Sequence, residues 1–284
     1  MYCCAEQYDL GQHMQIIGLC RFSYPAAGGF QVEHDSLEAR QTYLYSKDRM
    51  EERFAQFEAM SLPGIAGQTD KDFGLAILIG SDLPNEYRTR LLNLVEPIPQ
   101  IVIVEEEPGQ NHRKVCQKVI NKARDGHWDE FCIQFRHDDD DGLGVTFVER
   151  LRSAFSHIEG LFQDHRTVGI DFNRGYVARP DAAGLCAEEI MTPYYGVALA
   201  MAVRPGVRQT IMNFSHNKLA QFMPTLTFTH EPMYVRGHNA HNDSRQRAHV
   251  KPVDLPRLDA LGEEVFHETF NINSDRVREI FASR

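Results

Sequence analysis

Asp138, Asp139, Asp140 and Asp141 are four adjacent carboxylates set just after the apolar run FCIQFR (131–136). In a partly buried site such neighbours repel one another, which raises some of their pKa values unless a cation offsets the repulsion. Hard oxygen ligands of this kind suit Mg²⁺ or Mn²⁺. If the chain stays extended, alternate side chains point the same way, so Asp138 and Asp140 share a face and both reach one divalent ion. The plainer alternative is a solvated acidic turn that caps the following helix. Position favours the ion, because the run sits at the carboxyl end of a strand, where open α/β sheets bind their ligands.

The elements that must hold this run follow from the apolar pattern. MQIIGLC (14–20), LAILIG (75–80), QIVIV (100–104) and FCIQFR read as short strands, the middle two covered on both faces. Helical spacing of Met50, Phe54 and Phe57 predicts a surface helix over 47–60, ended near Pro63–Gly64. Residues 84–95 and 111–125 suit further helices, and Phe147, Leu151 and Phe155 mark the one after the carboxylates. This is the alternation of βα units. Beyond about 165, VGIDF (168–172), GYVA (175–178) and GVALAMAV (196–203) are strand-like, and the short AsnArgGly connection predicts a hairpin between the first two. The second half is expected to extend the same sheet in mixed or antiparallel fashion. A long loop region is expected over 224–256 and a terminal helix near 275–283.

Composition narrows the function classes. With 284 residues, 42% hydrophobic and 25% charged, the chain is an ordinary globular one. Forty acidic against thirty basic residues give a net charge of −10, which opposes nonspecific attraction to nucleic acid or anionic lipid. A phosphate-bearing ligand therefore needs a local arginine cluster or a metal ion. Six scattered cysteines without a CxxC pair read as free thiols in a reducing compartment. No apolar stretch approaches a membrane span, and the amino terminus lacks the pattern of a signal peptide. The expected location is cytoplasmic, with peripheral attachment to the inner membrane face left open. No GxGxxG occurs, and no cysteine sits in a motif with a paired histidine.

The strand followed by Asp-x-Asp resembles that of GT-A-type glycosyltransferases, and the wider sequence resembles a bacterial family of rhamnosyltransferases. IIGLCRFSYPAAGGFQ (16–31), LPGIAGQTDKDF (62–73), LAILIGSDLP (75–84) and QFRHDDDDGLG (134–144) carry the resemblance, with VRGHNAHNDSR (235–245) adding to it. His137 departs from it, standing where an apolar residue is expected.

The resemblance implies a GT-A-like α/β fold with a mixed, mainly parallel sheet flanked by helices. One domain is expected over 1–284, with a nucleotide-sugar half at about 14–145 and an acceptor-side half at about 146–284. It also implies a nucleotide-diphosphate-sugar donor bound through Mn²⁺ or Mg²⁺, and a glycan or other hydroxyl acceptor. Asp138 would lie nearest the ribose and metal, and Asp140 would be the direct ligand. Asp139 and Asp141 would face the sugar or stay structural. His241 is the candidate metal histidine, with His238 in reserve. Arg236, Arg245 and Arg247 are candidates for the donor phosphates, against the alternative of a solvated basic patch.

Arg21 follows the first strand where base and ribose would lie, and Phe22 or Tyr24 are candidates to stack on the base, or else core residues. Arg136 and His137 either pair electrostatically with the run or pack along the sheet. An inverting transfer requires a carboxylate to take the acceptor proton, for which Glu189 is the first candidate and Asp171 the second. A Mg²⁺-dependent phosphotransferase or phosphohydrolase on the same carboxylates is the rival enzyme, although the first strand lacks a nucleophilic aspartate. A noncatalytic nucleotide- or carbohydrate-binding module is the rival from another class.

Overall fold

The computed structural model describes residues 14–28, 34–238 and 255–284. The first half runs β1 (Met14–Arg21), α1 (Leu37–Leu44), α2 (Lys47–Gln56), α3 (Leu62–Ala66), β2 (Gly74–Gly80), α4 (Asn85–Val95), β3 (Ile101–Glu106), α5 (His112–Ala123) and β4 (Phe131–Asp138). Then follow β5 (Gly142–Leu143), α6 (Phe147–Ile158), β6 (Thr167–Phe172), β7 (Arg174–Asp181), β8 (Gly184–Met191), β9 (Leu199–Val203), β10 (Thr225–Phe228), β11 (Tyr234–Gly237), α7 (Ala260–Phe270) and α8 (Ser274–Ala282).

Seven strands make the main sheet in the order β10-β6-β9-β4-β1-β2-β3. All its pairings are parallel except those of β9, which runs antiparallel to both β4 and β6. The sheet is therefore mixed, mainly parallel and flanked by helices, as expected. Alternation decides which residues face which layer. On one face Ile16, Cys20, Ile133 and Phe135 pack with α2, α4 and α6. On the other, Ile17, Leu19, Met201 and Val203 pack against α5. Four described cysteines, Cys20, Cys116, Cys132 and Cys186, are buried free thiols, and Cys3 and Cys4 lie outside the described residues.

QIVIV is not covered on both faces as expected, since β3 is the edge strand and Val102 is 59% exposed, and three further expectations need correction. The segment 47–60 buries Met50, Phe54 and Phe57 as its spacing predicts, with Phe22 packing its ring at 5.0 Å from Phe54 and 5.3 Å from Phe57, but it is not a surface helix, because Arg49, Arg53 and Gln56 between them are buried too. Nor does Pro63 end it. The chain passes through a π-turn at Phe57–Ser61 into α3, where proline occupies the first turn and its missing N–H costs nothing.

The second correction concerns 175–178, which does not extend the main sheet. Strand β7 belongs to a second sheet in the order β5-β11-β7-β8, and the hairpin is β7–β8, not β6–β7. At Asn173 the chain leaves one sheet for the other. The third concerns 224–256, which holds β10 and β11 in its described part. The terminal helix stands as α8, preceded by α7, which was not anticipated.

Candidate active site

β4 ends at Asp138, and a turn closed by the Asp141 N–H to the Asp138 carbonyl (3.2 Å) replaces the extended chain that was expected. The turn separates the carboxylates. Asp138 is 47% exposed at its side chain, whereas those of Asp139, Asp140 and Asp141 are 7%, 6% and 2% exposed. Arg53 of α2, itself buried, meets Asp139 Oδ1 at 2.8 Å and Asp140 Oδ2 at 3.3 Å. Arg236 of β11 meets Asp141 Oδ2 at 3.1 Å and Asp138 Oδ2 at 3.4 Å. Asp138 and Asp140 thus contact different arginines, one open and the other enclosed.

The second sheet fixes the far side of the run. The Gly237 N–H donates to Asp141 Oδ1 at 3.0 Å. A Cβ on Gly237 would stand 2.1 Å from the Asp140 carbonyl oxygen, so only glycine permits this approach. His137, where an apolar residue was expected, is 2% exposed and hydrogen-bonded to Ser61 Oγ through Nε2 at 2.7 Å. Burial holds it neutral, lowering its pKa to about 4 against the opposing Asp138 and Asp140.

Register places the positive groups. Asp138 pairs with Arg21 and Arg136 with Leu19, and cross-strand partners share a face, so Arg21, Arg136 and Asp138 all lie on the α5 side. His112 opens α5 beside them. Burial, then Arg21 and Arg136, lower its pKa to about 3, and His216 is lowered by burial, Arg136 and Arg236. Both are neutral at pH 7. Burial raises the Asp138 pKa, but Arg236, Arg136 and Arg21 together outweigh it and hold the carboxyl below the usual range. Burial wins at the enclosed carboxyls: Asp139 and Asp141 are raised despite Arg53 and Arg236 respectively. Arg136 is half-buried and, among the described residues, makes no hydrogen bond or ion pair.

The other expected residues fall at different places. Phe22 is fully buried among Phe54 and Phe57, so it is core and not a platform for a base; the strand continues past Cys20 and points the ring inward. Tyr24 is buried too, its hydroxyl donating to the Glu107 carbonyl at 2.6 Å. Glu189 pairs with Tyr176, whose ring packs on Phe266, so it lies on the helix-covered face of the second sheet, opposite to Arg236, and is ion-paired with Arg174. The structure does not bring it to the run.

Asp171 is on the correct face. It pairs with Leu199, an α5-side residue, at the carboxyl end of β6 and one strand beyond β9 from β4. It is fully buried and accepts from the Tyr194 N–H at 3.1 Å and Thr227 Oγ1 at 3.3 Å. Burial pushes its pKa up to about 6. His241, Arg245 and Arg247 lie outside the described residues. Among the described residues no group of three or more histidine, cysteine or carboxylate side chains is arranged to hold a metal. Arg53 and His112 were missed by the sequence; Arg53 lies 86 residues from Asp139, and no local spacing connects them.

The mixed, mainly parallel sheet thus carries the carboxylate run at the carboxyl end of its central strand β4. The family model described as "Putative rhamnosyl transferase" matches residues 15–251, and the chain belongs to that family. No curated protein matches the sequence. Among solved structures, Staphylococcus aureus TarS 1–349 is 9% identical with a TM-score of 0.42, covering 78% of this chain and 60% of that one. The same TarS fragment in complex with UDP is 8% identical with a TM-score of 0.41, over 80% and 60% of the two chains. A 4-diphosphocytidyl-2C-methyl-D-erythritol synthase is 10% identical with a TM-score of 0.31, over 80% and 90%. The chain spans about three fifths of the TarS fragment. Among the described residues no helix is long and apolar enough to cross a membrane.

Proposed function

We propose that this protein transfers a sugar from a nucleotide-diphosphate donor to a hydroxyl of a glycan or other acceptor, rhamnose being the sugar its family's description names. One observation carries the reading: an open carboxylate, Asp138, stands among Arg21, Arg136 and Arg236 at the carboxyl ends of β1 and β4. Guanidinium groups match phosphate oxygens in pairs, and Arg136 has no hydrogen-bond or ion-pair partner among the described residues.

Mg²⁺ is commonly held by one or two carboxylates together with substrate phosphates, and Asp138 is the accessible carboxylate that would meet such an ion, whereas Asp140 is enclosed on Arg53. His241 remains a candidate further ligand. When bound, Mn²⁺ or Mg²⁺ supplies a Lewis acid at the diphosphate. An arriving diphosphate brings negative charge to a site that already holds the ionised Asp138, and an ion entering with it would offset part of that charge. Arg21, Arg136 and Arg236 orient the diphosphate and stabilise the charge that grows on it as the glycosidic bond breaks. Neutral His112 and His216 offer hydrogen bonds on the same side.

For an inverting reaction the acceptor proton goes to Asp171, whose face and raised pKa of about 6 suit a base near neutrality, in preference to Glu189. The segment above it holds Tyr194, Gly196 and Ala198 at φ 55°, 97° and 51°, and Asp171 meets substrate only when that segment lifts.

Calorimetric titration with UDP, dTDP, GDP and CDP, each with and without Mn²⁺, tests the reading. Metal-dependent binding of one nucleotide, weakened by Arg136→Ala, is the expected result. Absence of binding by any nucleotide in either condition would reduce the run to a buried structural ion cluster.

A further inference from the structure

The segment between β8 and β9 carries Tyr195, whose neighbours are held in the left-handed region: Tyr194 at φ 55°, Gly196 at 97° and Ala198 at 51°. For a residue other than glycine that conformation is costly, and it persists where the surroundings over-determine it, as binding sites do. Here the Tyr194 N–H is taken by Asp171 Oδ1 at 3.1 Å, and Val197 and Ala198 are buried in the core. Tyr195 is thus fixed from both sides.

Its ring packs against that of Tyr234, with centroids 6.0 Å apart. Tyr234 and Arg236 are two residues apart on β11 and share a face, so Tyr195 rests on the side of the second sheet that carries Arg236. The two tyrosines differ in what their hydroxyls do. Tyr234 is fully buried and its hydroxyl donates to the Asn173 carbonyl at 3.4 Å. Tyr195 is half-buried; among the described residues its hydroxyl has no hydrogen-bond partner and is not sealed from solvent. A phenylalanine would fill the place of the ring, so packing alone does not call for the hydroxyl.

Burial, opposed by Arg236 and assisted by Asp141, raises the phenol above its ordinary pKa of 10, so at neutral pH it keeps its proton and can both donate and accept. Through Gly196 the segment then runs against His216: a Cβ there would stand 3.4 Å from the ring, and His216 itself feels Arg136, Arg236 and Asp138. The chain thus carries Tyr195 from Asp171 to the edge of the arginine cluster. Guanidinium groups in that cluster suit a diphosphate. The next part of the donor is a sugar, whose neutral hydroxyls call for a neutral group that donates and accepts. We propose that the Tyr195 hydroxyl hydrogen-bonds a hydroxyl of the donor's sugar, so that this residue helps to choose the sugar. The inference rests on the reading of Arg21, Arg136 and Arg236 as the diphosphate site. The movement that frees Asp171 breaks a bond of the neighbouring Tyr194, so the contact is assigned to the donor complex that precedes it.

Calorimetry in Mn²⁺ on the intact chain and on Tyr195→Phe tests it, with UDP, dTDP and GDP set against UDP-glucose, dTDP-rhamnose and GDP-mannose. At least one nucleotide sugar should bind the wild type and bind about fivefold more weakly to the variant, the scale of one hydrogen bond, while affinity for its free nucleotide changes less than twofold. Tyr195→Phe should also unfold at an equal or higher temperature, because the hydroxyl it removes has no partner among the described residues to lose. Equal binding of the nucleotide sugar, an equal loss for the free nucleotide, or binding of nucleotides but of none of the sugars overturns the contact. So does failure of the variant to fold, since the hydroxyl would then be holding the structure together. Binding of neither nucleotides nor nucleotide sugars to the wild type overturns the transferase reading instead.

Discussion

Phe22 illustrates how one residue's environment decides between two roles. An aromatic side chain after β1 can stack on a base or fill a core, and packing between Phe54 and Phe57 makes it core. Phe22→Ala should therefore cost about 3–5 kcal/mol in urea unfolding, the range for large buried aromatics, and leave nucleotide affinity of the folded fraction unchanged. Arg53 is the opposite case, a charge whose value lies in what it neutralises. Arg53→Met takes the guanidinium away from Asp139 and Asp140, and removing one side of a buried ion cluster costs about 3–5 kcal/mol. Equilibrium unfolding checks it, and a cost under about 1 kcal/mol would show that the pairing with Arg53 contributes little to stability. The carboxylates were legible in the sequence because they are adjacent and follow an apolar strand. Arg53 was not, since helix α2 carries it to the run from 86 residues away and one arginine in an amphipathic helix resembles any other.

At the scale of elements, β6 and the segment that follows β8 act together. Asp171 at the end of β6 is tied by the Tyr194 N–H, and the tied segment carries three residues in the left-handed region. Its folded pKa of about 6 lies above the ordinary value of 3.8, so between those limits the folded state binds more protons than the unfolded one. Stability from this group is thus present below about pH 4 and falls as pH rises through 6, by up to about 3 kcal/mol. Asp171→Asn should abolish that part of the fall, measured as the difference between wild-type and variant unfolding free energies at pH 4.5 and 7.5. Activity should move the other way in the wild type, rising through the same interval as the base ionises, and a variant retaining full activity would remove Asp171 from the chemistry. The parallel strands themselves were readable as short apolar runs between helices. The division into two sheets was not: VGIDF and GYVA carry the same alternation, and only the turn of the chain at Asn173 sends the second into a different layer.

For the whole molecule the question is how a chain of net charge −10 would attract the proposed nucleoside-diphosphate donor. The general field would repel it, so attraction would have to be local, and Arg21, Arg136 and Arg236 gather at one end of the sheet where they could provide it. Exposed charges farther away than about 10 Å are largely screened at 0.1 M ionic strength, whereas half-buried groups in contact with the ligand are screened much less. Two opposed salt effects follow. Raising ionic strength weakens the long-range repulsion and so favours encounter, but it also competes for the contact pairs. If contact dominates, nucleotide affinity in saturating Mn²⁺ should fall as salt rises from 50 to 500 mM. Arg136→Ala should lower affinity by roughly tenfold or more, the scale of a charge-assisted hydrogen bond, and flatten the salt dependence. Isothermal titration across that salt series decides it. An affinity that rises with salt would place the nucleotide outside the arginine cluster, where the protein's overall negative charge is the force it feels.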